Sequence, residues 1–337
     1  MTRSPLPRAL LPCIGLLGGL LIAEVTLRIV FHNGLILQAQ SDVPDTSVED
    51  RANRHLSMQG KTFTYDENGF RRGTDLPHDR TVLFVGDSFT EGFGVNDDET
   101  FARATENALR RDGIMARSLN AGNRGFGAAQ ELRVLRRMLG RMPVDAVVVQ
   151  SFPMNDYSDN IAFGGFGLED DHLVEYDAPR PPLRARLAGF VARSWLQNLY
   201  AMRLASNAML LGDPAAPFNS PTGFDLERAL LGEMLVAVAK RPLVMLVIPT
   251  KVVQQVQHGI PASPNQLGEV QRFEQVCAYL KESEVSWIDA GVVIPDLEAD
   301  AAKGDGGHFS RDGNLAIGEA IAQRLAPMLQ AQGDRGE

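Results

Sequence analysis

Short apolar runs alternate with stretches of helical periodicity from residue 81 to residue 329, and this rhythm restricts the fold more than any other feature of the chain. Residues 81–85, 116–120, 146–150, 243–248 and 285–288 read as strands. Residues 99–111, 128–139, 226–239, 267–282 and 314–329 read as helices with an apolar face. The run Ala-Val-Val-Val-Gln at 146–150 is the composition of a strand covered on both faces. Parallel strands need long crossovers, and the intervening helices supply them. The expectation is an α/β fold: a five-stranded parallel sheet between two helical layers. Ligands of such sheets sit outside the carboxyl ends of the strands, so the residues there are the ones to search for chemistry.

The chain ahead of this rhythm has a different character. Arg3 and Arg8 precede an uncharged run over 9–23, and apolar residues continue past Glu24 and Arg28 to Phe31. A spanning helix needs about 20 mostly apolar residues. The run reaches that length when Glu24 and Arg28, four positions apart, lie at the far interface. A cleaved signal peptide and a buried helix are the alternatives. No clear small-x-small cleavage site precedes Glu24, and too little apolar sequence precedes Cys13 for a lipoprotein site. The expectation is a membrane anchor over 1–31, with Arg3 and Arg8 cytoplasmic and the body exported. In a cell with two membranes this is the inner membrane, with the body in the periplasm. Residues 32–80 read as a polar tether and edge segment that becomes ordered near 63–72, and 81–331 as the main domain. Within it, 159–223 breaks the rhythm and reads as an insertion forming a hairpin and a cap.

The formal net charge is −9, and no basic stripe is visible, which argues against a nucleic-acid partner. There is no CxxC pair and no HExxH, and no metal or other cofactor is read from spacing. His172 beside Glu169, Asp170 and Asp171 reads as part of a solvated acidic turn. The oligomeric state is not legible.

Chemistry is concentrated at the predicted strand ends. Gly86-Asp87-Ser88-Phe89 closes the first core strand, and a serine at such a turn is lifted off the sheet. A serine hydroxyl becomes a good nucleophile when a base takes its proton, and histidine suits that work near neutral pH. Asp305-Gly306-Gly307-His308, after the last strand, supplies a histidine with a carboxylate three residues earlier to orient it. Acyl transfer also builds a negative oxygen that pre-placed donors stabilise. Asn155 closes the third strand. Gly125 closes the second, with Gly122 as the alternative in the same turn.

Ser88, Gly125, Asn155 and His308, in that order and at those strand ends, resemble the four blocks of the SGNH (GDSL-like) hydrolase superfamily. The resemblance covers roughly 81–329 apart from the insertion, with Gly-Asp-Ser-Phe in the first block and Pro153 where a glycine often stands in the third. It implies a flavodoxin-like three-layer fold. It also implies Ser88 as nucleophile, His308 as base, Asp305 as its orienter, and Ser88, Gly125 and Asn155 as the oxyanion hole. Asn68–Arg71 and Ile248–Lys251 also look like the membrane-anchored bacterial branch associated with cell-surface polysaccharides. The expected function is hydrolysis of an acyl ester, acetyl among the candidates, on a small molecule or an envelope glycan. An O-acyltransferase shares the chemistry as far as the acyl-enzyme. In the alginate-acetyltransferase type, however, the Asp–His element precedes the serine, and here it follows. A non-catalytic scaffold in polysaccharide export is the third reading, opposed by the intact Ser88, Asp305 and His308.

Overall fold

The computed structural model describes residues 18–19, 48–163, 165–169, 172–175 and 221–333. Apart from Gly18 and Gly19, these belong to one compact unit lying within 44–179 and 215–337. The strands are β1 (His55–Met58), β2 (Lys61–Thr64), β3 (Arg80–Val85), β4 (Ala116–Asn120), β5 (Ala146–Ser151), β6 (Phe166–Glu169), β7 (His172–Glu175), β8 (Leu243–Val247) and β9 (Trp287–Asp289). The helices are α1 (Ser88–Glu91), α2 (Phe101–Arg111), α3 (Ala128–Arg141), α4 (Asp156–Phe163), α5 (Pro221–Val238), α6 (Lys251–Gln257), α7 (Leu267–Glu282), α8 (Ala290–Val293), α9 (Leu297–Ala301) and α10 (Arg311–Gly333).

The central sheet is parallel throughout and has five strands in the order β4-β3-β5-β8-β9. Its strands are apolar on both faces because both faces are covered, and their alternation sorts the core into two layers. Leu83, Val85, Val147, Val149, Met245 and Val247 point to one side, against Leu132 and Leu135 of α3, Leu230 and Met234 of α5, and Val276 of α7. Val82, Phe84, Ala146, Val148, Val244 and Leu246 point to the other, against Phe101 and Leu109 of α2 and Ile317, Ile321 and Leu325 of α10. This is the expected three-layer arrangement. Each such buried Val, Leu or Ile contributes about 1.5–3 kcal/mol.

Three features lie outside the alternating pattern. β1 and β2 form an antiparallel hairpin ahead of the sheet, so regular structure in the expected tether and edge segment includes residues before 63–72. β6 and β7 form a second hairpin at the start of the expected insertion, with Glu169 opposite His172. The expected cap falls on residues 176–220, outside the described residues. The expected anchor over 1–31 also lies outside them, Gly18 and Gly19 excepted. Among the described residues no helix is long and apolar enough to cross a membrane.

Candidate active site

In the sheet, β3 lies between β4 and β5, so the loops that follow these strands flank the turn after β3. That turn is Gly86-Asp87, and Ser88 opens α1. Asp87 caps the helix, its Oδ1 accepting the Phe89 N–H at 2.8 Å. Gln150, near the end of β5, reaches across to hold the turn. Its Oε1 accepts the Asp87 N–H at 2.9 Å and the Thr90 hydroxyl at 3.0 Å.

Ser88 Oγ lies 2.8 Å from His308 Nε2, and His308 Nδ1 lies 2.7 Å from Asp305 Oδ2. The other oxygen of Asp305 accepts the N–H groups of Gly307 at 2.9 Å and His308 at 2.8 Å, closing a tight loop ahead of α10. Burial works to raise the Asp305 pKa. The hydrogen bond and charge of His308 and the two amide donors outweigh it and bring it to about 2. An ionised Asp305 is an acceptor only, so the proton of the imidazole belongs on Nδ1 and Nε2 is left to accept from the serine. The imidazole is packed between two phenyl rings, Phe89 at 4.8 Å and Phe93 at 5.0 Å between centroids, which limits its rotation.

The proposed oxyanion donors occupy the two flanking loops. Gly125 has φ +73°, a left-handed conformation that a side chain strains. Gly122 is needed for a different reason: a Cβ there would come within 2.3 Å of the Glu91 nitrogen. The Gly122 N–H donates to Asn120 Oδ1 at 3.0 Å, so Gly125 is the better donor candidate of the two. Asn155 ends a turn over 152–155 that forms with Pro153 in place. Asp156 braces the turn by accepting from the Phe152 N–H at 2.7 Å and the Ser151 hydroxyl at 3.0 Å. The Asn155 amide nitrogen donates to Asp159 Oδ2 at 3.2 Å.

Two sets of residues beside the serine lie outside the site drawn from the sequence, although Asp87 and Arg71 fall in its motifs and Arg124, next to Gly125, reads from the sequence as a surface arginine before an anion contact. At the C-terminal end of α1, the buried Glu91 pairs with Arg51 Nη1 at 3.0 Å and Arg124 Nε at 2.7 Å, and accepts from the Tyr65 hydroxyl. Arg71 closes the same end. Its Nη1 donates to the carbonyls of Glu91 at 2.7 Å and Gly92 at 2.9 Å, its Nη2 to those of Thr62 at 2.8 Å and Val95 at 2.7 Å, and its Nε to Asp97 at 2.7 Å. Burial works to raise Glu91, but Arg124, Arg51 and the tyrosine hydroxyl prevail and its pKa is lowered.

The second set is acidic. Asp87, Glu131, Asp156 and Glu227 are buried and Asp159 is half-buried, and desolvation raises every one of them: Asp87 to about 6, Asp159 to about 7 and Glu227 to about 7. Among the described residues no group of three His, Cys, Asp or Glu is arranged to hold a metal ion. These five carboxyls are therefore read as protonatable groups rather than ligands.

A serine joined through histidine to a carboxylate, at the carboxyl edge of a parallel sheet, is the arrangement that the resemblance to SGNH hydrolases implies for Ser88, His308 and Asp305. No protein-family model matches the chain, and no curated protein matches it. Among solved structures it is similar to a lipase/acylhydrolase from Enterococcus faecalis, at 15% identity and TM-score 0.43, covering 74% of this chain and 96% of that one. It is also similar to the psychrotrophic esterase EstA from Pseudoalteromonas sp., at 13% identity and TM-score 0.41, covering 75% and 100%. A family 3 carbohydrate esterase from Clostridium thermocellum aligns at 14% identity and TM-score 0.40, covering 75% and 98%.

Proposed function

We propose that the chain is an exported serine esterase that removes an acyl group, acetyl among the candidates, from an envelope glycan or a similar ester. The observation that carries this reading is the unbroken hydrogen-bond chain from Asp305 through His308 to Ser88. His308 Nε2 takes the serine proton as Oγ attacks the ester carbonyl. The carbonyl oxygen becomes an oxyanion received by the Ser88 and Gly125 N–H groups and the Asn155 amide. The C–O bond then breaks, and the alcohol leaves with the proton held by His308. Water, deprotonated by the same imidazole, attacks the acyl-enzyme and frees Ser88. An ionised Asp305 stabilises the imidazolium in both halves. Its low pKa means that loss of activity in mild acid does not originate in Asp305.

The test is turnover of a chromogenic acetyl ester by the full chain in membranes, with and without an acetylated glycan. Ser88→Ala should lower kcat by about 10⁴-fold or more, and Asn155→Ala by about 100- to 1000-fold. Equal turnover by wild type and Ser88→Ala overturns the reading. Acyl transfer to glycan hydroxyls in place of release to water would reassign the enzyme as an acyltransferase. For location, the proposal is an N-terminal anchor in the inner membrane with the body outside the cytoplasm. A reporter fused after residue 40 that remains cytoplasmic contradicts it.

A further inference from the structure

The backbone of Phe93, two residues past the end of α1, is tied on both sides. Its N–H donates to the Ser88 carbonyl at 3.0 Å, and Arg71 donates to the carbonyls before and after it, Gly92 at 2.9 Å and Val95 at 2.7 Å. The ring that this backbone carries packs on Phe63 of β2, with 6.1 Å between centroids, and on the His308 imidazole at 5.0 Å. The next residue, Gly94, passes so close to Asp305 that a Cβ there would stand 3.3 Å from the carboxyl carbon. One short, braced stretch of chain therefore meets both the base and its orienter. The hydrogen bonds of His308 do not persist in the same way through the proposed reaction. Before attack, Ser88 Oγ at 2.8 Å and Asp305 Oδ2 at 2.7 Å hold the ring at both nitrogens. Once Oγ carries the acyl group and the alcohol has left with the proton, the serine has no hydrogen to donate and Nε2 loses that partner. The imidazole, 22% exposed, is then held by Asp305 and by packing.

We propose that Phe93 is a positioning residue that keeps the His308 ring in place during the acyl-enzyme stage, so that its loss slows deacylation more than acylation. The proposal rests on the esterase reading and concerns the second half of that reaction. In that half, Nε2 accepts a proton from water while the water oxygen attacks the acyl carbonyl. His308 then returns the proton to Oγ as the bond between Oγ and the acyl carbon breaks, and the acid leaves. A misplacement of about 1 Å at such a centre costs about 100-fold in rate. In the free enzyme the Ser88 hydroxyl shares the work of holding the ring, and the penalty for losing Phe93 is smaller. In the acyl-enzyme that help is gone.

Hydrolysis of a chromogenic acetyl ester by the full chain in membranes separates the two halves, because kcat/KM reports acylation whereas kcat at saturation includes deacylation. Phe93→Ala should lower kcat by about 10- to 100-fold and kcat/KM by about 3-fold or less, so that KM falls together with kcat. Acid quenching followed by intact-mass measurement should show an acetyl adduct that accumulates in Phe93→Ala beyond its wild-type level and is absent from Ser88→Ala. A smaller folded fraction would instead lower kcat and kcat/KM by one common factor and leave KM unchanged. Phe93→Leu keeps apolar volume against Phe63 and loses the flat face of the ring. It should show the same split at smaller size, and it decides the question if Phe93→Ala does not fold. Equal falls in kcat and kcat/KM, no fall in either, or an adduct that does not accumulate overturns the proposal and leaves the esterase reading in place. A wild type that turns over no ester overturns the esterase reading and this proposal with it.

Discussion

The two ends of α1 meet buried polar groups of opposite kind. At its C-terminal end Glu91 is enclosed by guanidinium groups and a tyrosine hydroxyl, and its pKa is lowered. At its N-terminal end Asp87 shares its surroundings with Glu131, Asp156 and Asp159, and their pKa values are raised. Burial is similar on both sides, so burial does not separate them. The supply of positive partners does: a buried carboxyl that has them stays charged and ties segments together, and one that lacks them keeps its proton. The turn that carries Ser88 is therefore anchored from one side by ion pairs, and on the other its helix cap stands among carboxyls whose pKa values desolvation raises.

The largest test of this contrast is Glu91→Ala. Removing a buried carboxylate strands Arg51 in the interior, and unfolding by denaturant should show a loss of about 3–5 kcal/mol. A loss below about 1 kcal/mol would mean that the pairing contributes little. The pH dependence has a definite sign here. Glu91 has a depressed pKa, so its contribution is present above the usual carboxylate range and fades as pH falls through its folded value. The gap between wild type and Glu91→Ala should narrow in acid.

Arg71→Lys comes next. Lysine keeps the charge but has fewer donors than the arrangement of four carbonyls and Asp97 requires, and each carbonyl left without a donor costs about 1–3 kcal/mol. Thermal unfolding reads this, and an unshifted midpoint would show that water replaces the missing donors without penalty.

The smallest effect is expected at Asp159→Asn, and it runs the other way. The folded protein holds a proton on Asp159 up to about pH 7, whereas an unfolded aspartate loses its proton near 4. Stability is therefore lost as pH rises through that interval. The amide should raise the melting temperature at pH 8 by about 2–4 °C and leave it nearly unchanged at pH 4. A destabilised protein at pH 8 would place a needed charge at Asp159.

The sheet was legible because its evidence is local. Five apolar runs of strand length, separated by helical stretches, specify a parallel sheet before any contact is known. The helix bounds at 267–282 coincide with α7, and those at 128–139 fall short of α3 by two residues. Ser88 could be named from its place at a strand end, and Asp305 and His308 from their spacing ahead of the last helix together with the resemblance; the fold brings the three within hydrogen-bond reach along one chain. The hairpin of β1 and β2 was not legible, since four-residue strands such as His-Leu-Ser-Met give too few alternations to register. Arg51 and Arg71 were missed for a related reason. Arginine in a polar stretch reads as solvent-facing, and nothing nearby in sequence announces that Glu91 waits for it 40 residues later. Asn68–Arg71 drew attention only through the resemblance. The acidic set failed in the same way: Asp87 reads as a turn residue, Asp159 only as the start of the insertion, and Glu131 as one charged residue within a helical stretch.

Arg71 carries a consequence for where the working unit begins. The alternating pattern starts at β3, and anyone dividing the chain by pattern would cut there. Such a cut removes Arg51, Tyr65 and Arg71 together, leaving Glu91 with Arg124 and opening the carbonyls at the end of the serine helix. The turn that carries Ser88 is thus clamped by chain that precedes the sheet. That preceding stretch is no idle tether, because its side chains hold the end of the helix that carries Ser88.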